Sequence, residues 1–289
     1  SGQLGKELIK SKPNKVEIIA KNRSLLDLVS KDSCVQAVKK HRPDWIINSA
    51  AYTNVEKAEE EKELAYAINS LAPKYFAEAL SEYGGSLLQI STDYVFDGKK
   101  GQPYLPTDKK NPLSVYGSTK AKGEDYALQI LNKHKKVNII RTSWLISLYG
   151  NNFAIKVIKA IIKKKELRII YDQIGSPTSA KFLAEACWKT IELKRLKNSI
   201  PEIMHICNSG IASWYDIAFS IADIGSKMNL FDDKFSIHPI LSRDYKTKVH
   251  RPTYSVLDSI KTLEELSFRQ IHWRNSLELI LNDLKESIY

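Results

Sequence analysis

The stretch Leu87-Leu88-Gln89-Ile90-Ser91-Thr92-Asp93-Tyr94-Val95-Phe96-Asp97-Gly98 passes without a break from an apolar run into a polar one. Residues 87–90 are short and apolar, as a strand buried on both faces of a parallel sheet should be, and the polar residues follow at its C-terminal end. In an open parallel sheet that edge is where ligands bind. On either side of it, residues 16–20, 45–48 and 137–140 have the same strand-like character, and helical stretches separate them. Within 64–83, Leu64, Ala67, Ile68 and Leu71 recur at helical spacing before Gly84-Gly85 ends the segment, with Pro73 as a place for a kink. This alternation predicts an α/β fold, a parallel sheet covered by helices.

The second half is less regular. Helices are expected over 151–165, 180–196, 214–228 and 273–288, and strands over 167–171 and 203–207. No repeat, low-complexity tract or linker interrupts it, so two lobes are expected to interleave. A chain of 289 residues, 43% hydrophobic and 27% charged, can bury a sizeable core. No apolar run is long enough to span a membrane and the N-terminal residues lack a signal-like apolar region, so the expected address is the cytoplasm. Cys34, Cys187 and Cys207 are too few and too far apart for a disulfide framework or a zinc knuckle, and no metal site is expected. The net charge of +11 comes from short lysine groups spread along the chain, without any groove-reading motif. Nucleic acid and membrane are therefore not expected partners, whereas small anionic ligands suit a basic surface.

The sequence opens Ser1-Gly2-Gln3-Leu4-Gly5-Lys6-Glu7-Leu8. Glycines here let backbone approach a pyrophosphate at a helix N-terminus; the other reading is a frayed end that happens to contain two glycines. The run at 16–20 leads into Lys21-Asn22-Arg23, where the adenosine ribose would sit. Arg23 there favours the 2′-phosphate of NADP, and Asp27 is within reach of adenine; the alternative for both is a solvated turn. A nucleotide-binding βαβ unit has a strand before its glycine loop. That strand is expected upstream of Ser1, and without it ladder groups in the middle of the sheet are expected to stand unpaired, leaving activity dependent on it.

About twenty residues beyond the polar run comes Tyr116-Gly117-Ser118-Thr119-Lys120, after the helix-delaying Asn111-Pro112-Leu113. Residues four apart share a helix face, so the Lys120 ammonium is expected beside the Tyr116 ring, lowering the phenol's pKa toward neutrality. Thr92 then holds the substrate oxygen that receives the proton. Among fourteen tyrosines this is the one Tyr-x-x-x-Lys in the sequence, and it follows the right strand.

At this point the sequence resembles the dTDP-4-dehydrorhamnose reductase family of extended short-chain dehydrogenases. The resemblance rests on Gly2-Gln3-Leu4-Gly5, the block from Asn48 to Glu59 containing Ala50-Ala51-Tyr52 and Val55, Ser91 to Gly98, Tyr116-Gly117-x-x-Lys120 and Arg141-Thr142-Ser143-Trp144. It continues through Gly150-Asn151-Asn152-Phe153, the block from Asp172 to Thr178, and Arg251-Pro252-x-x-Ser255-x-Leu257-Asp258, in family order. It implies a Rossmann-type doubly wound parallel sheet over 1–145 and a smaller, interleaved C-terminal substrate lobe over 146–289. The implied cofactor is NADPH, with NADH an alternative, held by Gly2, Gln3, Leu4, Gly5, Arg23, Asp27, Leu28, Ala50, Ala51, Tyr52, Asn69, Ser91, Tyr116 and Lys120. The implied partner is a nucleotide sugar, contacted by Val55, Thr92, Asp93, Tyr94, Trp144, Asn152 and Arg251; a homodimer is left open.

The reaction this implies is hydride transfer to the C4 carbonyl of dTDP-4-dehydro-L-rhamnose, with Thr92, Tyr116 and Lys120 as the catalytic set. Read from the residues alone, Trp144 is either a platform for a deoxysugar or a core tryptophan. Arg251-Pro252 either meets the diphosphate or caps a helix, and Asp172 to Thr178 is a structural loop. The alternatives are a reductase of another nucleotide keto-sugar and a non-catalytic subunit like the regulatory subunit of methionine adenosyltransferase. A 4,6-dehydratase fits less well, because Tyr94 follows Asp93 where an acidic residue would be needed.

Overall fold

The computed structural model describes residues 2–197, 200–232 and 234–288. Along the first half run α1 (Gln3–Lys10), α2 (Lys31–His41), β1 (Trp45–Asn48), α3 (Val55–Ala58), α4 (Lys62–Tyr66), α5 (Ala72–Tyr83), β2 (Ser86–Thr92), α6 (Val115–Leu131) and β3 (Val137–Thr142). The second half adds β4 (Leu145–Ile146), α7 (Phe153–Ile162), β5 (Leu167–Ile170), β6 (Ile174–Gly175), β7 (Thr178–Ser179), α8 (Ala180–Lys197) and β8 (Ile203–His205). It closes with β9 (Ala212–Ser213), α9 (Trp214–Lys227), β10 (Ile237–Ile240), α10 (Ile260–Glu265) and α11 (Trp273–Ile288).

β1, β2, β3 and β8 form a parallel sheet in the order β1-β2-β3-β8. Its strands alternate faces in the way their sequences require. Leu88 and Ile90 of β2 and Ile140 of β3 join α1 and α8 on one side, through Leu4, Leu8, Phe182 and Leu183. Leu87, Val137 and Ile139 point the other way, onto α2, α5 and α6. Each fully buried side chain of this kind contributes about 1.5–3 kcal/mol. Helices on both faces make the sheet doubly wound, as expected, and β8 and α8 bring second-half sequence into it. A separate core gathers α7, α9 and α11 around Val157, Ile158, Ile217, Ile221 and Leu277. Two-stranded pairs, β5 with β10, β4 with β7 and β6 with β9, surround it.

Residues 16–20 do not form a strand. The expectation failed for want of a partner: β1 borders the sheet, and among the described residues no strand lies beyond it to complete a ladder. The helix expected over 64–83 is divided. α4 passes through a π-helical turn, Ala67–Leu71, into α5, where Pro73 occupies the first turn. Proline can donate no hydrogen bond and crowds the carbonyl four residues back, which here belongs to Asn69, so the wider turn sits where the ladder would fail.

Candidate active site

Because the strands are parallel, the loops after β1, β2 and β3 share one edge of the sheet. Thr92 ends β2, and a short 3-10 turn, Asp93–Val95, follows. α6 begins beside it with Ser114 as N-cap, its hydroxyl accepting from the Gly117 N–H at 3.1 Å. Glycine lets the two meet: a Cβ on Gly117 would stand 2.2 Å from the Tyr94 carbonyl oxygen, and one on Gly123 would stand 2.2 Å from that of Asn69. The close approach sets the edge of the Tyr94 ring against Tyr116, with centroids 5.5 Å apart and planes at 76°.

The Thr92 hydroxyl donates to Asp93 Oδ1 at 3.0 Å, accepts from the Tyr94 N–H at 3.2 Å and is in hydrogen-bonding reach of the Tyr116 phenol. Burial pushes the phenol above its ordinary range despite the Thr92 contact. The net shift is upward, against the lowering toward neutrality expected from the spacing. The Lys120 ammonium is buried one turn along and donates to the Ile90 carbonyl at 2.6 Å. Burial pulls it down to about 8, with Glu124 opposing. Asp93 is also buried, and its carboxyl is pushed up to about 6 by loss of solvent, partly offset by hydrogen bonds from Ser255 and Thr92.

Behind Lys120 lies a group the sequence reading missed. Glu124 receives a two-pronged bond from Arg141, Nε to Oε1 at 2.9 Å and Nη2 to Oε2 at 2.8 Å, and an ion pair from Lys110 at 3.3 Å. Burial opposes the charge, but these partners hold the Glu124 carboxyl below its usual range. The spacing that picked out Tyr116 and Lys120, continued by four residues, would have found it. Ser91 faces the same carboxylate.

The glycine loop is equally specific. α1 has Gly2 as its N-cap, exposed and extended, and no side chain caps the first N–H groups of the helix. A Cβ on Gly5 would lie 3.8 Å from the Ser49 hydroxyl, so the helix start and the loop after β1 adjoin. In that loop Tyr52 is gripped by buried Asn69: its N–H donates to Oδ1 at 2.9 Å and its carbonyl accepts from Nδ2 at 3.1 Å. Asn69 also donates to Thr119 on α6. It therefore shapes the Ala50-Ala51-Tyr52 wall.

Several expected site residues have other surroundings. Leu4 is buried in the core beneath the loop, and Leu28 packs against the cluster of α2 and α5. Arg23 is exposed and hydrogen-bonds to nothing among the described residues, while Asp27 accepts from the Val29 N–H at 3.0 Å, closing its own turn. Asn152 is a correction. Its Oδ1 caps α7 and its Nδ2 donates to the Ser147 and Tyr149 carbonyls and to Gln3 Oε1, the last at 2.9 Å. Its hydrogen bonds thus couple the glycine loop to the second lobe, leaving it no free donor for a sugar. Ser147 donates to the same Gln3 oxygen at 3.1 Å.

Trp144 lies two residues beyond β3, with φ at 47°, a left-handed conformation unusual for a bulky side chain. Its indole stacks on Trp214 at 3.7 Å and lies tight against Gly175. One face is therefore filled by Trp214 and not by a sugar. Val55 is half-buried at the start of α3, and the neighbouring Glu56 binds Arg251 Nη2 at 2.8 Å. Arg251 adjoins Tyr94 and caps no helix, since α10 begins only at Ile260.

The family model described as RmlD substrate binding domain matches residues 1–286. The spore coat polysaccharide biosynthesis protein SpsK of Bacillus subtilis is 38% identical over 283 residues, covering 98% of this chain and 94% of that protein. The dTDP-4-dehydrorhamnose reductase of Aggregatibacter actinomycetemcomitans is 34% identical, covering 96% and 95%. Among solved structures, the dTDP-4-dehydrorhamnose reductase of Bacillus anthracis in complex with NADP superposes with a TM-score of 0.88 at 33% identity, covering 98% of this chain and 96% of that one.

Proposed function

The chain belongs to the RmlD substrate binding domain family, and from that we infer that it is an NADPH-dependent reductase converting dTDP-4-dehydro-L-rhamnose to dTDP-L-rhamnose for cell-surface polysaccharide. The observation that carries the mechanism is the convergence of Thr92, Tyr116 and Lys120 on one edge of the parallel sheet. The residues present fit the cofactor: the uncapped start of α1 at Gly2 suits a pyrophosphate, and the loop of Ala50, Ala51 and Tyr52 adjoins it. The bound cofactor supplies the hydride.

Addition of hydride at C4 leaves an alkoxide on the former carbonyl oxygen. Tyr116 gives it the phenolic proton, forming the new hydroxyl, and carries the resulting negative charge. At neutral pH the phenol carries the proton it is to give up. Lys120, one turn away, stabilises the phenolate once it forms. Thr92 aligns the carbonyl oxygen with the phenol.

The sugar is bounded by Val55, Asp93, Tyr94 and the free edge of Trp144, with Arg251 toward the diphosphate. C1 and C4 stand on opposite sides of a pyranose ring. A sugar whose C4 oxygen meets Tyr116 therefore extends its C1 diphosphate away from the phenol, past Tyr94, to the guanidinium. On this reading residues 1–145 hold the cofactor and one wall of the sugar site, and 146–289 contribute Arg251 toward the diphosphate. We place the reaction in the cytoplasm, a reading supported by three buried, unpaired cysteines.

The test is loss of nicotinamide absorbance when the protein meets NADPH and the keto-sugar. Tyr116→Phe should abolish turnover and leave NADPH binding largely intact; undiminished turnover in that variant sinks the mechanism.

A further inference from the structure

The segment before and including Arg251 is fastened to the other lobe by carboxylates of α3 and the residues just after it. Arg251 Nη2 and Thr247 Oγ1 both donate to Glu56 Oε1, at 2.8 and 2.6 Å, and Lys248 pairs with Glu60 at 2.9 Å. Glu56 is partly exposed, with 43% of its side chain in solvent, whereas Arg251 retains 23%. The guanidinium is incompletely used: its Nε is buried with no hydrogen-bond partner. On its inner side stands Tyr94, whose ring abuts Tyr116. A carboxylate thus occupies one donor of the cation that adjoins the sugar site, and another donor waits unsatisfied.

An unpaired N–H of a buried guanidinium carries a cost that an arriving anion can relieve. A diphosphate offers several oxygens to Arg251, but it cannot share the guanidinium with a second anion without repulsion. We propose that Glu56 is an internal competitor for Arg251, a specificity-tuning carboxylate that the substrate's diphosphate displaces on binding and that re-forms its pair on product release. The proposal rests on the reading of Arg251 as the diphosphate contact. It gives the α3 acid a function in binding and release, although Glu56 touches no reacting atom.

The test measures dTDP affinity by isothermal titration on the full chain with NADPH present, for the parent protein, E56Q, R251M and the double variant. An ion pair this exposed is worth at most about 1 kcal/mol, so E56Q should bind dTDP about two- to fivefold more tightly. The KM for the keto-sugar should fall in step, without a rise in the hydride-transfer rate measured in a single turnover. In the R251M background the effect of E56Q should disappear, because no guanidinium remains to compete for. Weaker or unchanged dTDP binding by E56Q would show that Glu56 only props Arg251, overturning the proposal. A tightening that persists with R251M would also overturn it, as a general charge effect. If R251M alone leaves dTDP affinity unchanged, the diphosphate reading itself fails. Thermal melting of each variant separates these results from misfolding.

Discussion

Replacing Lys120 by methionine should stabilise the protein at neutral pH while destroying its activity. The ammonium is 4% exposed and is pulled down to about 8 by burial from the ordinary 10.5. Below pH 8 both folded and unfolded chains carry the proton, so the full cost of burying the charge is present. Between pH 8 and 10.5 the folded chain sheds the proton first, and stability rises with pH. The depression of the pKa corresponds to about 3 kcal/mol at pH 7. Methionine removes that cost but forfeits the bond to the Ile90 carbonyl, a charged hydrogen bond worth about 2 kcal/mol. The net expectation is a gain of about 1 kcal/mol. Urea unfolding at pH 7 and pH 9 measures it. The parent protein should gain about 1 kcal/mol between those pH values from this group, and K120M should lack that increment. If K120M is less stable than the parent at pH 7, or shows the same rise with pH, then Lys120 is not a buried, strained cation. In the parent enzyme kcat/KM should decline above about pH 8 as Lys120 loses its charge, with K120R moving that limb upward.

Gly123→Ala should lower stability by about 1–3 kcal/mol and reduce turnover, because its Cβ would meet the Asn69 carbonyl and push α6, with Tyr116, off the sheet edge. Thermal melting and a steady-state assay check both; an unchanged melting temperature would mean that the helices do not approach so closely. Gln3→Ala removes the acceptor shared by Ser147 and Asn152. NADPH should then bind about fivefold more weakly by fluorescence titration, as about 1 kcal/mol of loop ordering is lost, with little effect on dTDP binding.

The sheet and most helices were legible because hydrophobic periodicity is local. β1 lies where residues 45–48 predict it, and β2 and β3 extend the runs at 87–90 and 137–140 by a few residues. The strand expected at 16–20 shows the limit of that signal. β-branched composition makes a segment fit for pairing, but a ladder needs a neighbour, and local sequence does not contain one. Trp144 marks a second limit. Its chemistry left both sugar contact and core packing open, and only the stacked Trp214 and the adjacent Gly175, 70 and 31 residues away in sequence, give its indole a direction.

By itself the sequence determined the parallel α/β architecture, the helical face shared by Tyr116 and Lys120 and the polar edge at Thr92, since each depends on residues only a few positions apart. Tertiary structure decided which way the proton affinities of that pair move. Burial, a property of everything packed around a group, raises the phenol and lowers the ammonium, outweighing the local charge effect that spacing alone suggested. It also decided that Asn152 serves the glycine loop and that Glu56 holds Arg251, contacts spanning 149 and 195 residues. No periodicity encodes such pairs; they exist only once both lobes have packed on the same sheet.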